Sequence, residues 1–216
     1  MKSLGKMGSF AAFYMAAAYL IGIILFLVIL DYPSITDPAQ KVALIVEKTM
    51  VIYATNMILY VIFGVFLVVF ALALYERLKE GAPALLLVGV VIGIIWAGSL
   101  VASGMISNAG LDPVITLYAQ DPEQAALTWQ GIETVASGVG NGNGEILGGV
   151  MTLLISWAAL QAGQFPKALN YLGAFVGVVG IVSIFPPLVD LVGLFGISQV
   201  IWFVWLGLLL LKDKSG

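Results

Sequence analysis

Cysteine and histidine are both absent from this 216-residue chain. Their absence excludes thiolate nucleophiles, disulfides, imidazole general bases, histidine-ligated haem and the usual zinc sites. It also leaves no cysteine pattern from which to read a redox compartment. Charge is scarce: Asp, Glu, Lys and Arg together make 10% of the residues, against about 25% in a soluble domain. Apolar residues make up 61%, against roughly 45–50%. One core of this size cannot hide so much apolar surface from water, so lipid must be the solvent for part of it. The net charge of −3 says little, because in a membrane protein the sidedness of charge matters more than its sum.

Six apolar segments stand out, at about residues 10–30, 49–74, 83–106, 145–161, 168–188 and 192–211. All are near the roughly 20 residues with which a helix crosses the hydrocarbon. They are continuous rather than alternating, which excludes a β-barrel. Lys2 and Lys6 precede the first run, which is longer than a signal-peptide core and has no small-residue cleavage site after it, so a retained helix is expected. The sequence therefore predicts an all-α polytopic bundle of about six transmembrane helices.

Lysine and arginine orient it. With the N-terminus in the cytoplasm, Lys2, Lys6, Arg77, Lys79, Lys167, Lys212 and Lys214 lie inside, and Lys41 and Lys48 lie outside. That bias predicts cytoplasmic N- and C-termini in a cell membrane, with lipid as the principal partner.

A weak repeat runs at an offset of 84 residues. Asp37-Pro38-Ala39-Gln40 matches Asp121-Pro122-Glu123-Gln124, Gly64 matches Gly148, Gly89 and Gly93 match Gly173 and Gly177, and Ser99 matches Ser183. Each copy opens on Asp-Pro, a good helix start. The expected organisation within one membrane domain (1–216) is a first helix and outer loop (1–36), two hairpins (37–120 and 121–190), and a last helix with a cytoplasmic tail (191–216). These starts make two helices long. From Pro38 to Leu74 is about 55 Å of helix, well beyond the roughly 30 Å of hydrocarbon. The surplus should project outward, or break and lie along the surface. Its apolar stretch 42–46 needs a cover, for which residues 125–137 are the nearest candidate.

The most polar stretch close to the membrane is 130–145. Glu133, Ser137, Asn141 and Glu145 recur every fourth residue, as on one helical face, and Gly138, Gly140, Gly142 and Gly144 lie among them. With Asn143 on this stretch and Asn56 on the second segment, these side chains are candidates for binding a cation, a proton or a polar ligand in an outward vestibule. The plainer alternative is the wet outer end of a helix, with Glu133 about 18 Å further out than Glu145. The Gly-Asn run has neither the preceding strand nor the Lys-Ser/Thr of a phosphate loop. Ser99 and Ser103 recur on the third segment with Ser107, and they suit helix packing. So do Gly89, Gly93, Gly173 and Gly177, whose backbones a neighbour can approach closely. Trp202 and Trp205 are expected at lipid. The charged turn 76–80 is too short and too mixed in sign for nucleic acid. No metal or cofactor is expected.

The C-terminal third adds a resemblance. Pro166 through Gly173, Ser183 with Pro186, and Trp202 through Gly207 resemble a bacterial multi-pass membrane family grouped as domain of unknown function 4386, over roughly residues 146–212. The resemblance implies a bacterial inner-membrane protein of about six spans and supplies no activity. The expected function is a non-catalytic binding or scaffold component, acting alone, as a homo-oligomer or as an accessory subunit of a membrane complex. A small-solute or ion transporter using the vestibule is the alternative. An intramembrane enzyme ranks third, for the sequence offers no nucleophile–base pair.

Overall fold

A computed structural model describes residues 2–140 and 144–212. Asn141, Asn143 and Lys214 lie outside the described residues. Every element is helical: α1 (Lys2–Ile23), α2 (Pro38–Glu47), α3 (Thr49–Asn56), α4 (Phe63–Leu78), α5 (Pro83–Ala109), α6 (Leu111–Tyr118), α7 (Pro122–Val139), α8 (Ile146–Gln161), α9 (Lys167–Val182) and α10 (Leu191–Lys212). Two π-helical segments interrupt them. Ile24–Ile29 prolongs α1, and Met57–Ile62 joins α3 to α4. Both Asp-Pro pairs start helices as expected. The Asp37 carboxylate accepts from the Ala39 amide at 2.9 Å, and Asp121 accepts from that of Gln124 at 3.0 Å, with Pro38 and Pro122 in the first turns.

Six helices close into a ring in chain order. α1 packs on α4, α4 on α5, α5 on α8, α8 on α9, α9 on α10, and α10 back on α1. Inside the ring, aromatic side chains meet edge to face: Phe70 lies 5.8 Å from Trp202 and 5.4 Å from Phe203, and Phe63 lies 6.0 Å from Trp96, between ring centroids. Trp202 is therefore buried in the core at 2% exposure, correcting its expected place at lipid. The outward faces are apolar too. α10 exposes Ile197, Ile201 and Leu208, and α5 exposes Val88, Val91 and Ile95. Such a surface is stable against hydrocarbon rather than water. Four helical stretches are long and apolar enough to cross a membrane: Leu4–Phe26, Thr49–Leu78, Pro83–Tyr118 and Leu191–Lys212. α8 and α9 are apolar but have only 16 residues each, about 24 Å of helix.

The remaining short helices, α2, α6 and α7, form a cap over one end of the ring, built on a second apolar cluster of its own. The two long helices expected from the Asp-Pro starts are each broken. α2 ends at Lys48, where the backbone leaves helical geometry (φ −112°, ψ 25°), and α7 ends at Gly140. The surplus of the first lies over the bundle, with Val42 and Ile45 fully buried against α6 and α7, and α7 is the cover foreseen for it. Between the third apolar segment and the second Asp-Pro pair the chain forms α6.

Candidate functional site

Between cap and ring lies a cavity of about 590 Å³. Its position follows from the two π-helical segments. A π-turn carries an extra residue, which widens the helix and upsets its usual pattern of backbone hydrogen bonds. The Tyr14 hydroxyl donates to the Ile58 carbonyl within one such turn at 2.8 Å. Phe26 from the first segment and Leu59 and Tyr60 from the second reach the cavity wall. α5 passes close to the second segment because Gly104 has no side chain; a Cβ there would stand 2.7 Å from that of Tyr60. Most of the wall is apolar, and Tyr19, Phe63, Trp96 and Trp129 contribute to it.

Glu145 is part of the wall and is the residue before α8. Its backbone is fixed on both sides. The Glu145 amide donates to Ser183 Oγ at 3.0 Å, and that hydroxyl donates to the Gly180 carbonyl at 2.7 Å. Gly144 before it has φ +100°, and a Cβ at that position would lie 2.7 Å from the Ile184 nitrogen. Only glycine meets both conditions without strain. The carboxyl group thus held is 7% exposed, and its Oε2 has no hydrogen-bond partner among the described residues. The Trp96 indole N–H, on the same wall, is also buried and unpartnered. Buried polar atoms in folded proteins are nearly always paired, and these two exceptions belong to residues of one cavity wall.

The mouth of the cavity is organised differently. Glu133 accepts from Lys41 Nζ at 3.1 Å and from the Tyr32 hydroxyl at 2.8 Å, and Trp129 Nε1 donates to the same hydroxyl at 3.1 Å. Lys41 Nζ also lies 4.9 Å from the centre of the Tyr32 ring. Burial pushes the Tyr32 phenol well above its ordinary value, against the opposing pull of the Trp129 N–H. Tyr32 therefore stays protonated and remains a donor to Glu133 at any physiological pH. These contacts tie α2 to α7 and the loop after α1, which closes the cap by a polar latch.

The structure brings Glu145, Glu133 and Asn56 to one cavity, together with Ser103 and Ser137. Glu133 lies on α7, which ends at Val139, and Glu145 directly precedes α8, so the two reach the cavity from separate helices and Glu133 does not stand far out along a single straight one. Asn56 is already engaged, donating to Asn108 Oδ1 at 2.9 Å. Ser103 donates to the Ala136 carbonyl at 2.8 Å and so holds α5 to α7, whereas Ser99 bonds within its own helix to the Trp96 carbonyl. Gly89 and Gly93 face α8 at Leu154 and Met151; Gly173 faces Ser156 and Trp202, and Gly177 faces Leu153 and Gly149. Sequence reasoning missed Tyr19, Tyr60, Trp96, Trp129 and Tyr32. Trp129 and Tyr32 flank the charged and polar residues of the cap, a usable signal; the others sit in apolar runs and read as ordinary core. Among the described residues no group of three or more acidic side chains gathers that could hold a metal ion.

No curated protein and no solved structure matches this chain. A family profile described as domain of unknown function (DUF4386) matches residues 14–212. The match runs through the first helix, the cap and the ring, well beyond the C-terminal third that carried the resemblance in the sequence. The cap and the cavity are thus features of a chain that belongs, over nearly its whole length, to the DUF4386 family.

Proposed function

We propose that this protein is a six-span integral membrane protein that binds a small, largely apolar molecule in the cavity beneath its cap. In this reading the cap faces outward from a bacterial cytoplasmic membrane and both termini lie inside, as the lysine distribution favours. α8 and α9 complete the six crossings, since as a pair they close the ring between the longer α5 and α10. The observation that carries the binding reading is the cavity itself. Its volume of about 590 Å³ lies within the roughly 300–1,000 Å³ of small-molecule sites, and its mainly apolar wall with a few fixed polar groups has their usual character.

Binding is favoured over passage because Phe63, Phe70, Trp202 and Phe203 fill the ring below the cavity. A solute entering under the cap meets that packed aromatic layer. The protein in this reading is a receptor, a carrier or the ligand-holding subunit of a larger membrane assembly.

Trp96 and Trp129 line the cavity, and this gives a direct test. The neutral fluorophore 1-aminoanthracene, added to purified protein in nanodiscs, should saturate at one site per chain and accept excitation energy from the tryptophans. Gly196 lines the same space, and a Cβ there would meet nothing nearer than Tyr19 at 3.6 Å. Gly196→Leu should therefore occupy cavity volume without disturbing the helices and weaken the binding at least tenfold. A fluorophore that partitions without saturation, equally in the wild type and in Gly196→Leu, would defeat the proposal.

A further inference from the structure

The cavity's charge balance specifies its occupant further than its volume does. Two carboxylates belong to the wall, Glu133 at the mouth and Glu145 deeper in, and no lysine or arginine is among the described lining residues. Glu133 is already neutralised by Lys41. Glu145 has no ion-pair partner among the described residues, is 7% exposed, and has an Oε2 with no hydrogen bond. A carboxylate in that position must either carry a proton or face a cation, because an isolated buried charge is prohibitively costly. The surrounding wall suits the second. Tyr19, Tyr60, Phe63 and Trp96 stand on the same cavity wall as Glu145. Aromatic faces attract organic cations through their quadrupoles, and several faces around one carboxylate make the kind of cage that recognises an ammonium.

An inorganic cation is a poor match. Sodium, potassium and calcium need several oxygen ligands to replace lost water. The wall offers such an ion one unpaired carboxylate, Glu145, and among the described residues no group of three or more acidic side chains gathers. The Trp96 indole N–H is a donor only and cannot ligate a metal ion. An organic cation needs no such oxygen shell and gains from burying its carbon skeleton.

We infer that the cavity takes a lipophilic organic cation, an ammonium on an apolar body, with Glu145 as its counter-ion and Tyr19, Tyr60 and Trp96 around the charged head. This rests on the binding reading and narrows it to one chemical class. The ammonium can belong to a free solute or to the headgroup of a lipid, which share this chemistry.

The test uses a matched pair of probes, 6-phenylhexyl-trimethylammonium and its uncharged tert-butyl isostere, titrated by tryptophan fluorescence on the full chain in phosphatidylglycerol nanodiscs. The cation should bind at least tenfold more tightly than the isostere. Glu145→Gln should abolish that preference by weakening the cation and leaving the isostere unchanged, while Glu123→Gln, an exposed carboxylate of α7 outside the cavity wall, retains it. Because a variant can fail to fold, the wild type provides a second reading. A hydrophobic carbodiimide should modify Glu145, as located by peptide mass spectrometry, and the cation should protect it where the isostere and 200 mM sodium or potassium do not. Adding phosphatidylethanolamine assigns the source: competition with the probe indicates a lipid headgroup, and its absence a free solute. Equal affinity for cation and isostere, with 1-aminoanthracene still bound, overturns this inference and leaves the binding reading standing. Protection by sodium or potassium overturns it in favour of an inorganic ion. If neither probe nor fluorophore binds, both readings fall.

Discussion

Gly177→Ala adds a single methyl group where α9 lies against the backbone of α8. A Cβ on Gly177 would stand 2.6 Å from the Leu153 Cβ, 2.7 Å from the Leu153 nitrogen and 2.8 Å from the Gly149 oxygen. Carbon contacts are comfortable at about 3.5–4.0 Å, so the two helices must part by roughly 0.7 Å or more. Two of the three obstructing atoms belong to backbone, so no rotamer change relieves the clash. Overpacking of this kind costs about 1–3 kcal/mol, and up to about 1 kcal/mol is returned by alanine's better helix propensity. The net loss of roughly 1–2 kcal/mol lowers Tm by about 2–8 °C for a chain of this size. Gly98→Ala on α5 is the control. A Cβ at Gly98 meets nothing within 4 Å, so propensity acts alone and Tm should hold or rise slightly. The assay is thermal unfolding in one detergent, followed by tryptophan fluorescence and by size-exclusion recovery after heating. Since the contact lies inside one chain, the readout is stability rather than assembly size, and Gly177→Leu should prevent recovery of folded protein. Equal Tm values for Gly177→Ala and Gly98→Ala would refute the reasoning, because the close approach would then carry no energetic consequence.

Lys41→Met should loosen the cap: the pair with Glu133 is partly exposed, so roughly 0.5–1 kcal/mol is at stake, and release of bound 1-aminoanthracene in stopped flow should quicken about two- to fivefold; an unchanged rate would mean that the latch does not gate the cavity. The raised folded-state value of Tyr32 gives stability that is complete below pH about 10 and lost as pH rises through the higher folded value. Tyr32→Phe should therefore remove part of the decline in wild-type melting temperature above pH 10, and parallel curves for the two proteins would contradict this. Topology reporters fused after Lys79 and after Lys212 should both report cytoplasm, and one inserted between α6 and α7 should report the outside; an external C-terminus would break the six-span arrangement.

Much of the fold was legible because it rests on composition and chain order. Continuous apolar runs predicted helices, and the pairs α4–α5 and α8–α9, each joined by a short turn, lie side by side. The Asp-Pro helix starts were readable for the same local reason: an N-cap bond is made within three residues. The break at Lys48 was not, since nothing in Glu47-Lys48-Thr49 marks the end of a helix. At 140–145 the glycines signalled a break but not its direction, so Glu133 was placed far from Glu145. Glu145 itself could be picked out, as a carboxylate beside an apolar run is conspicuous. The aromatic wall could not, because Tyr19, Tyr60 and Trp96 differ from core aromatics only in facing a space that tertiary packing creates. Trp202 shows the converse. Its place near the end of an apolar helix suggested lipid, yet its side chain fills the ring.

The cap and the ring have separate apolar clusters, one around Val42, Ile45, Leu111, Val114 and Trp129 and the other around Phe70, Trp96, Trp202 and Phe203. Cooperative unfolding requires shared packing, and here the cavity lies between the two clusters. The cap is therefore its own unit of opening, with a free energy below that of the whole protein. In hydrogen exchange, amides of α2, α6 and α7 should exchange together and earlier than those of α8 and α9. A ligand that touches both clusters would bridge them, so its binding should slow exchange in the cap far more than in the ring.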